Sequence, residues 1–127
     1  MFRILVTGSR DWPKPFSVYT YLGTAIVDNG MPMDVTIIHG GAKGADQFAG
    51  EFARQWVYDE EVYPANWKGL GKRAGYARNA EMVAAGADIC LAFIKNNSRG
   101  ATMCAKLAED AGIPVTYVRE DSEPVEE

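Results

Sequence analysis

Three glycine-bearing stretches in this chain combine small residues with cations. They are Gly8-Ser9-Arg10, Gly40-Gly41-Ala42-Lys43-Gly44-Ala45-Asp46 and Ser98-Arg99-Gly100-Ala101-Thr102. Glycine lets main-chain N–H groups approach an anion closely, and a helix starting just behind adds partial positive charge. A phosphate is the anion such loops suit. Gly8, Ser9, Gly40, Gly41, Gly44, Ser98, Gly100 and Thr102 would line it, with Arg10, Lys43 and Arg99 supplying charge. A fourth stretch, Gly75-Tyr76-Ala77-Arg78-Asn79-Ala80-Glu81-Met82, offers Arg78 as a clamp for phosphate or developing charge and Asn79 as a ligand contact. Asp46 and Glu81 are the candidate catalytic carboxylates. Each also has a plainer use: Glu81 stands three residues from Arg78, the spacing of a helical ion pair, and Asp46 suits the first turn of a helix.

Aromatic residues interleave with these loops. Trp67, within the long basic stretch Pro64 to Gly75, and Trp12 could stack on a flat base or plug the ends of helices. Trp56 reads as packing. His39 is the only histidine and reads as a hydrogen-bonded loop support. The two cysteines, Cys90 and Cys104, lack metal-ligand spacing and read as reduced packing residues. No metal or cofactor is expected.

The elements that position these groups follow from hydrophobic pattern. Phe2 to Thr7, Asp34 to His39, Tyr58 to Tyr63, Ala87 to Ile94 and Ile113 to Arg119 are short runs rich in β-branched and aliphatic residues. Most are nearly continuous in apolar character, as a parallel strand covered on both faces requires. Tyr58 to Tyr63 carries Asp59, Glu60 and Glu61, which suits an edge strand. Between the strands, Phe16 to Asn29, Ala45 to Trp56, Gly75 to Ala85 and Gly100 to Ala111 show helical periodicity. Gly30, Gly86 and Gly112 follow as stops. This alternation predicts an α/β, Rossmann-like three-layer sandwich around a parallel sheet of about five strands. It does not fix the strand order, but a chain that starts in the sheet centre, goes one way for three strands and then returns gives 3-2-1-4-5.

A chain of 127 residues with 47% apolar and 24% charged content suits one globular unit. Residues 1–119 form the expected nucleotide-binding domain and 120–127 an acidic, solvated tail. The net charge of −4 argues against a protein that coats duplex DNA or an anionic membrane by bulk charge. Neither a secretory signal nor a membrane span is legible, so a cytoplasmic location is expected. Yet the basic residues are unevenly placed. Arg10, Lys14, Lys43, Lys68, Lys72, Arg73, Arg78, Lys95 and Arg99 all fall in segments that follow a strand's carboxyl end. In an open α/β sheet that edge holds the ligand crevice. The loops match neither the dinucleotide fingerprint nor the Walker phosphate loop, which disfavours an NAD dehydrogenase or a nucleoside triphosphatase.

The stretch Gly75 to Met82, followed by Ala87-Asp88 at a strand start, resembles the Arg-Lys-x-x-Met helix of the Lonely Guy cytokinin-activating phosphoribohydrolases. Taken with Thr7-Gly8-Ser9-Arg10 and His39 to Asp46, the chain is similar over about residues 1–119 to the YspA/YpsA-related branch of the SLOG superfamily. That superfamily also includes DNA-processing protein A. The resemblance implies a Rossmann-like domain that binds a nucleotide or nucleotide derivative, cleavage of base from ribose 5′-phosphate in some relatives, and homo-oligomers formed through helices flanking the sheet. It makes Arg78 the counterpart of the enzymes' catalytic arginine. It also sets Gly100 at the glycine before threonine in their Pro-Gly-Gly-x-Gly-Thr-x-x-Glu motif. There the chain departs: Asn97-Ser98 replace the paired glycines, Ala101 the threonine and Cys104 the glutamate.

A thiol cannot do the work of a carboxylate at an oxocarbenium-like transition state. Three functions therefore stand side by side. The first is binding or sensing of a nucleotide derivative; the second is hydrolysis of the N-glycosidic bond of a nucleoside 5′-monophosphate, with Asp46 or Glu81 as carboxylate. The third is single-stranded nucleic-acid binding through basic loops with Trp67 and Tyr76.

Overall fold

The computed structural model describes residues 1–120, the side chain of Lys72 excepted; most of the expected acidic tail, residues 121–127, lies outside the described residues. Five strands alternate with helices: β1 (Phe2–Gly8), α1 (Pro15–Asp28), β2 (Val35–His39), α2 (Ala45–Gln55), β3 (Asp59–Val62), α3 (Trp67–Leu70), a 3-10 turn (Gly71–Arg73), α4 (Ala74–Ala85), β4 (Ile89–Lys95), α5 (Arg99–Asp110) and β5 (Val115–Glu120). All neighbouring strands pair in parallel in the order β3-β2-β1-β4-β5. This is the expected Rossmann-like layout.

Strand residues alternate between two apolar layers, which is why the strands read as continuous apolar runs. Ile4, Val6, Ile37, Leu91 and Phe93 meet Val18, Leu22 and Ile26 of α1 and Ala49 and Phe52 of α2. On the other face Leu5, Ile38 and Cys90 meet Met82 and Val83 of α4 and Cys104 and Ala108 of α5. The α5 surface is built of Ala101, Ala105 and Ala108, so its axis can lie close to the sheet. Pro15 occupies the start of α1, where a missing N–H costs nothing. Gly86 and Gly112, at φ +88° and +84°, end α4 and α5 in the left-handed region that favours glycine.

Three details differ from the sequence-based expectation. Glu120 belongs to β5, where it pairs with Lys95 in the sheet and its carboxylate meets Lys14 at 3.0 Å. The segment expected as a plain loop from Pro64 to Gly75 contains a helical turn, capped by Asn66 accepting from the Gly69 N–H. The acids of β3 do more than discourage edge pairing. Arg3 donates to both oxygens of Glu61 at 2.7 and 3.0 Å, while Glu60 accepts from Arg54 and pairs with His39.

Candidate functional site

At the carboxyl edge, β1 and β2 deliver loops that interlock. Gly8 sits where a Cβ would collide with Ala45 and the Phe93 carbonyl, so β1 can end flush against α2 and β4. Ser9 is buried, and its hydroxyl accepts from the Lys95 N–H at 2.8 Å, tying the β1 loop to the end of β4. Gly44, at φ +80°, caps α2 with its Cα against the carbonyls of Ser9 and Arg10. Only glycine suits both the dihedral and the contact.

Asp46, in the first turn of α2, folds back under the preceding loop. Its Oδ2 accepts from the N–H groups of Gly40 at 3.0 Å and Ala42 at 3.4 Å. Its Oδ1 is buried and has no hydrogen-bond partner among the described residues. Burial pushes the Asp46 carboxyl above its ordinary range, opposed by His39, the Ala42 N–H, Arg78 and the Gly40 N–H. His39 supports the same loop from the α2 face of the sheet. Its Nδ1 accepts from the Gly41 N–H at 3.0 Å and its Nε2 meets Glu60 at 2.5 Å. The tautomer that satisfies both bonds carries its proton on Nε2. Gly50 leaves room for this pair, since a Cβ there would crowd Glu60 and His39.

From α4, Arg78 reaches across. It donates from one terminal nitrogen to the Gly40 carbonyl at 2.7 Å and from Nε to Asn79 Oδ1 at 2.8 Å. Asn79 Nδ2 in turn donates to the Gly100 carbonyl at 3.4 Å, so the β2 loop, α4 and the start of α5 form one connected wall. The turn into α5 is made by Asn96 and Asn97 at φ +52° and +55°, a region asparagine tolerates better than most residues. No side-chain cap covers the first-turn N–H groups of α5, and no acid lies in that turn. They remain a positive end for an anion.

These pieces enclose a cavity of about 340 Å³, lined by Gly8, Arg10, Asp46, Trp67, Arg78, Asn79, Ser98 and Gly100 among others. An adjoining cavity of about 620 Å³ is lined by Gly40, Gly41, Lys43, Val62 and Pro64 and shares Arg10, Ala42, Trp67 and Arg78 with the first. Trp67 is half exposed at the boundary, with the Arg10 guanidinium 5.5 Å from its ring centre. Both volumes fall in the range of small-molecule pockets, roughly 300–1,000 Å³.

A family model described as the YspA, cpYpsA-related SLOG family matches residues 2–69. A relative named Gene 61 protein, from Mycobacterium phage D29, is 42% identical over 120 residues, covering 91% of this chain and 94% of its own length. The chain belongs to the YspA, cpYpsA-related SLOG family. No solved structure matches it significantly. For this SLOG protein the family points to nucleotide-related binding or processing.

The sequence-predicted residues of the SLOG site divide by position. Gly8, Arg10, Asp46, Trp67, Arg78, Asn79, Ser98 and Gly100 share the first cavity, and Gly40, Gly41 and Lys43 line its neighbour. Ser9 and Gly44 lie behind the wall as supports. Arg99 and Thr102 line a separate groove with Lys106, Leu107 and Arg119. Glu81 is exposed, and Arg78 is turned toward Gly40 and Asn79 rather than along the helix to Glu81. Trp12 belongs to the core, edge-on to Phe93, with its indole N–H donating to Ser17 Oγ at 3.0 Å. Cys104, which the resemblance in sequence sets against the Lonely Guy enzymes' glutamate, is fully buried, and burial pushes its thiol up to about 11. The cavity also takes in Thr7, Asp11, Ala42, Gly75, Met82, Ala101 and Met103. Met82 and Met103 could have been found from helical phase, lying four residues beyond Arg78 and three beyond Gly100.

Among the described residues no cluster of His, Cys, Asp and Glu could hold a metal ion. No helix among them is long and apolar enough to cross a membrane.

Proposed function

We propose that residues 1–119 act as one unit that binds a nucleotide or nucleotide derivative in the cavity at the carboxyl edge of the sheet, as a cytoplasmic binder or sensor. The observation that carries this reading is the convergence on one cavity of Arg10, Arg78, Asp46 and the uncapped start of α5. Cations and helix N–H groups suit a phosphate, Trp67 suits the face of a base, and the spare carboxyl oxygen suits a polar group between them. The test is thermal denaturation with AMP, ADP-ribose, NAD and cyclic nucleotides. At one hundred times its Kd, a true ligand stabilises by about 2.7 kcal/mol, several degrees for a protein of this size. A flat response across the panel rejects the reading.

Hydrolysis of an N-glycosidic bond is the second reading, favoured by the carboxyl of Asp46 beside Arg78. With Glu81 exposed and Cys104 buried, Asp46 would carry that chemistry. Free base released from a nucleoside monophosphate, and not by Arg78→Ala, is its signature. Single-stranded nucleic-acid binding would instead appear as affinity for oligonucleotides that falls steeply with salt. Self-association is part of the proposal: Val27, Met31, Trp56 and Val57, which flank the sheet near α1 and α2, are more than half exposed. Light scattering after gel filtration tests it.

A further inference from the structure

We propose that Oδ1 of Asp46 reads a ribose hydroxyl, so that the site selects ribonucleotides over their deoxy counterparts; this rests on the nucleotide-binding reading above. Asp46 is 5% exposed, yet it lines the cavity. Its two oxygens have unequal surroundings. Oδ2 is engaged by the Gly40 and Ala42 N–H groups, whereas Oδ1 is buried without a partner among the described residues. A buried acceptor left unpaired costs stability, and such exceptions call for a specific explanation. A ligand group supplying the missing bond is one.

The chemistry of that group can be narrowed. A phosphate oxygen is a poor choice, because it would meet a carboxyl while Arg10 and the start of α5 stand in the same cavity. A base amino group can only donate, so it would require the ionised carboxylate at a place where burial disfavours charge. A hydroxyl satisfies both protonation states, donating to a carboxylate or accepting from a carboxylic acid. With the base on Trp67 and the phosphate at α5, the sugar is the part left to meet the inner wall. Asp46 is fixed there by the loop it holds, so the hydroxyl meets a positioned partner.

The experiment is calorimetric titration of the whole protein with AMP, GMP, CMP and UMP and with their 2′-deoxy and 3′-deoxy forms. Loss of one hydroxyl is expected to weaken binding at least tenfold, a modest value for a site built to hydrogen-bond that group. Asp46→Ala should reduce the discrimination to about twofold or less. Because Ala also releases Gly40 and Ala42, Asp46→Asn serves as the control that keeps an acceptor for both and places an amide N–H where Oδ1 stood, from which a ribose hydroxyl can still accept; it should discriminate more than Asp46→Ala does. Equal affinity for ribo and deoxy forms overturns the proposal while leaving nucleotide binding intact. So does full discrimination retained in folded Asp46→Ala, or an equal loss for both forms in that variant. Failure of every ribo and deoxy form to bind overturns the nucleotide reading itself.

Discussion

Glu60 on β3 and Asp46 on α2 are both removed from water to a large degree, and the protein treats them in opposite ways. Glu60 is surrounded: His39 meets one oxygen, and Arg54 donates to both, at 2.9 and 3.1 Å. Burial pushes its carboxyl up, but the bonds from His39 and Arg54 outweigh that and leave it below its ordinary 4.5. Asp46 receives two main-chain bonds on one oxygen and none on the other, and burial prevails, raising it from 3.8. A carboxylate with every oxygen paired belongs to the scaffold. One held in a cavity wall with an oxygen to spare is poised to act on something else.

This contrast can be broken most forcefully at the scaffold end. Glu60→Ala leaves the buried His39 N–H and Arg54 without their acceptor and should cost about 2 kcal/mol in urea denaturation at neutral pH. Because the folded state depresses the Glu60 pKa, its contribution is present above pH 4.5 and lost as pH falls through the lowered value. The gap between parent and variant should therefore close in acid. At the site end, Arg78→Ala removes the bonds to Gly40 and Asn79 as well as a cation, and nucleotide affinity should drop about tenfold or more, near 1.4 kcal/mol. Unchanged affinity would remove Arg78 from the ligand site.

Asp46→Asn sharpens the comparison by running the other way. The folded state raises the Asp46 pKa, so the stability that residue lends is complete below 3.8 and disappears as pH rises through the raised value. An amide escapes that loss while still accepting from Gly40. Asp46→Asn should be more stable than the parent by about 1 kcal/mol at neutral pH, with no advantage in strong acid. A variant less stable at every pH would mean that Oδ1 has a partner worth more than its desolvation. Smallest of all, Arg99→Ala should leave nucleotide affinity within about twofold, since its side chain lines the separate groove.

Much of this was legible in the residues. The parallel sheet followed from β-α alternation, its order also needed the assumption of a chain starting in the sheet centre, and the crowding of cations after strand ends picked out the edge that bears the cavities. What sequence could not supply was the direction of individual side chains. Sorting by loop put Arg10 and Arg99 together, but Arg10 reaches the cavity while Arg99, in the first turn of α5, faces another groove. Helical phase would have separated Arg78 and Met82, which meet the cavity, from Glu81, which does not. Trp12 and Trp67 each follow a strand, yet one fills the space beside Phe93 and the other remains half exposed. That choice depends on what α1 leaves uncovered in the first core, a property of packing between distant segments. The unpaired Oδ1 of Asp46 is likewise a property of the assembled wall rather than of any local motif.

The close seating of Gly44 on the carbonyls of Ser9 and Arg10, and of Gly8 on the Phe93 carbonyl, means that main chain rests directly on main chain at the back of the pocket. Its depth is thus a fixed gauge, insensitive to rotamer changes. Descendants of this scaffold that accommodate bulkier molecules would have to lengthen their loops instead of trimming side chains, whereas the proposed base contact could drift through substitutions around Trp67.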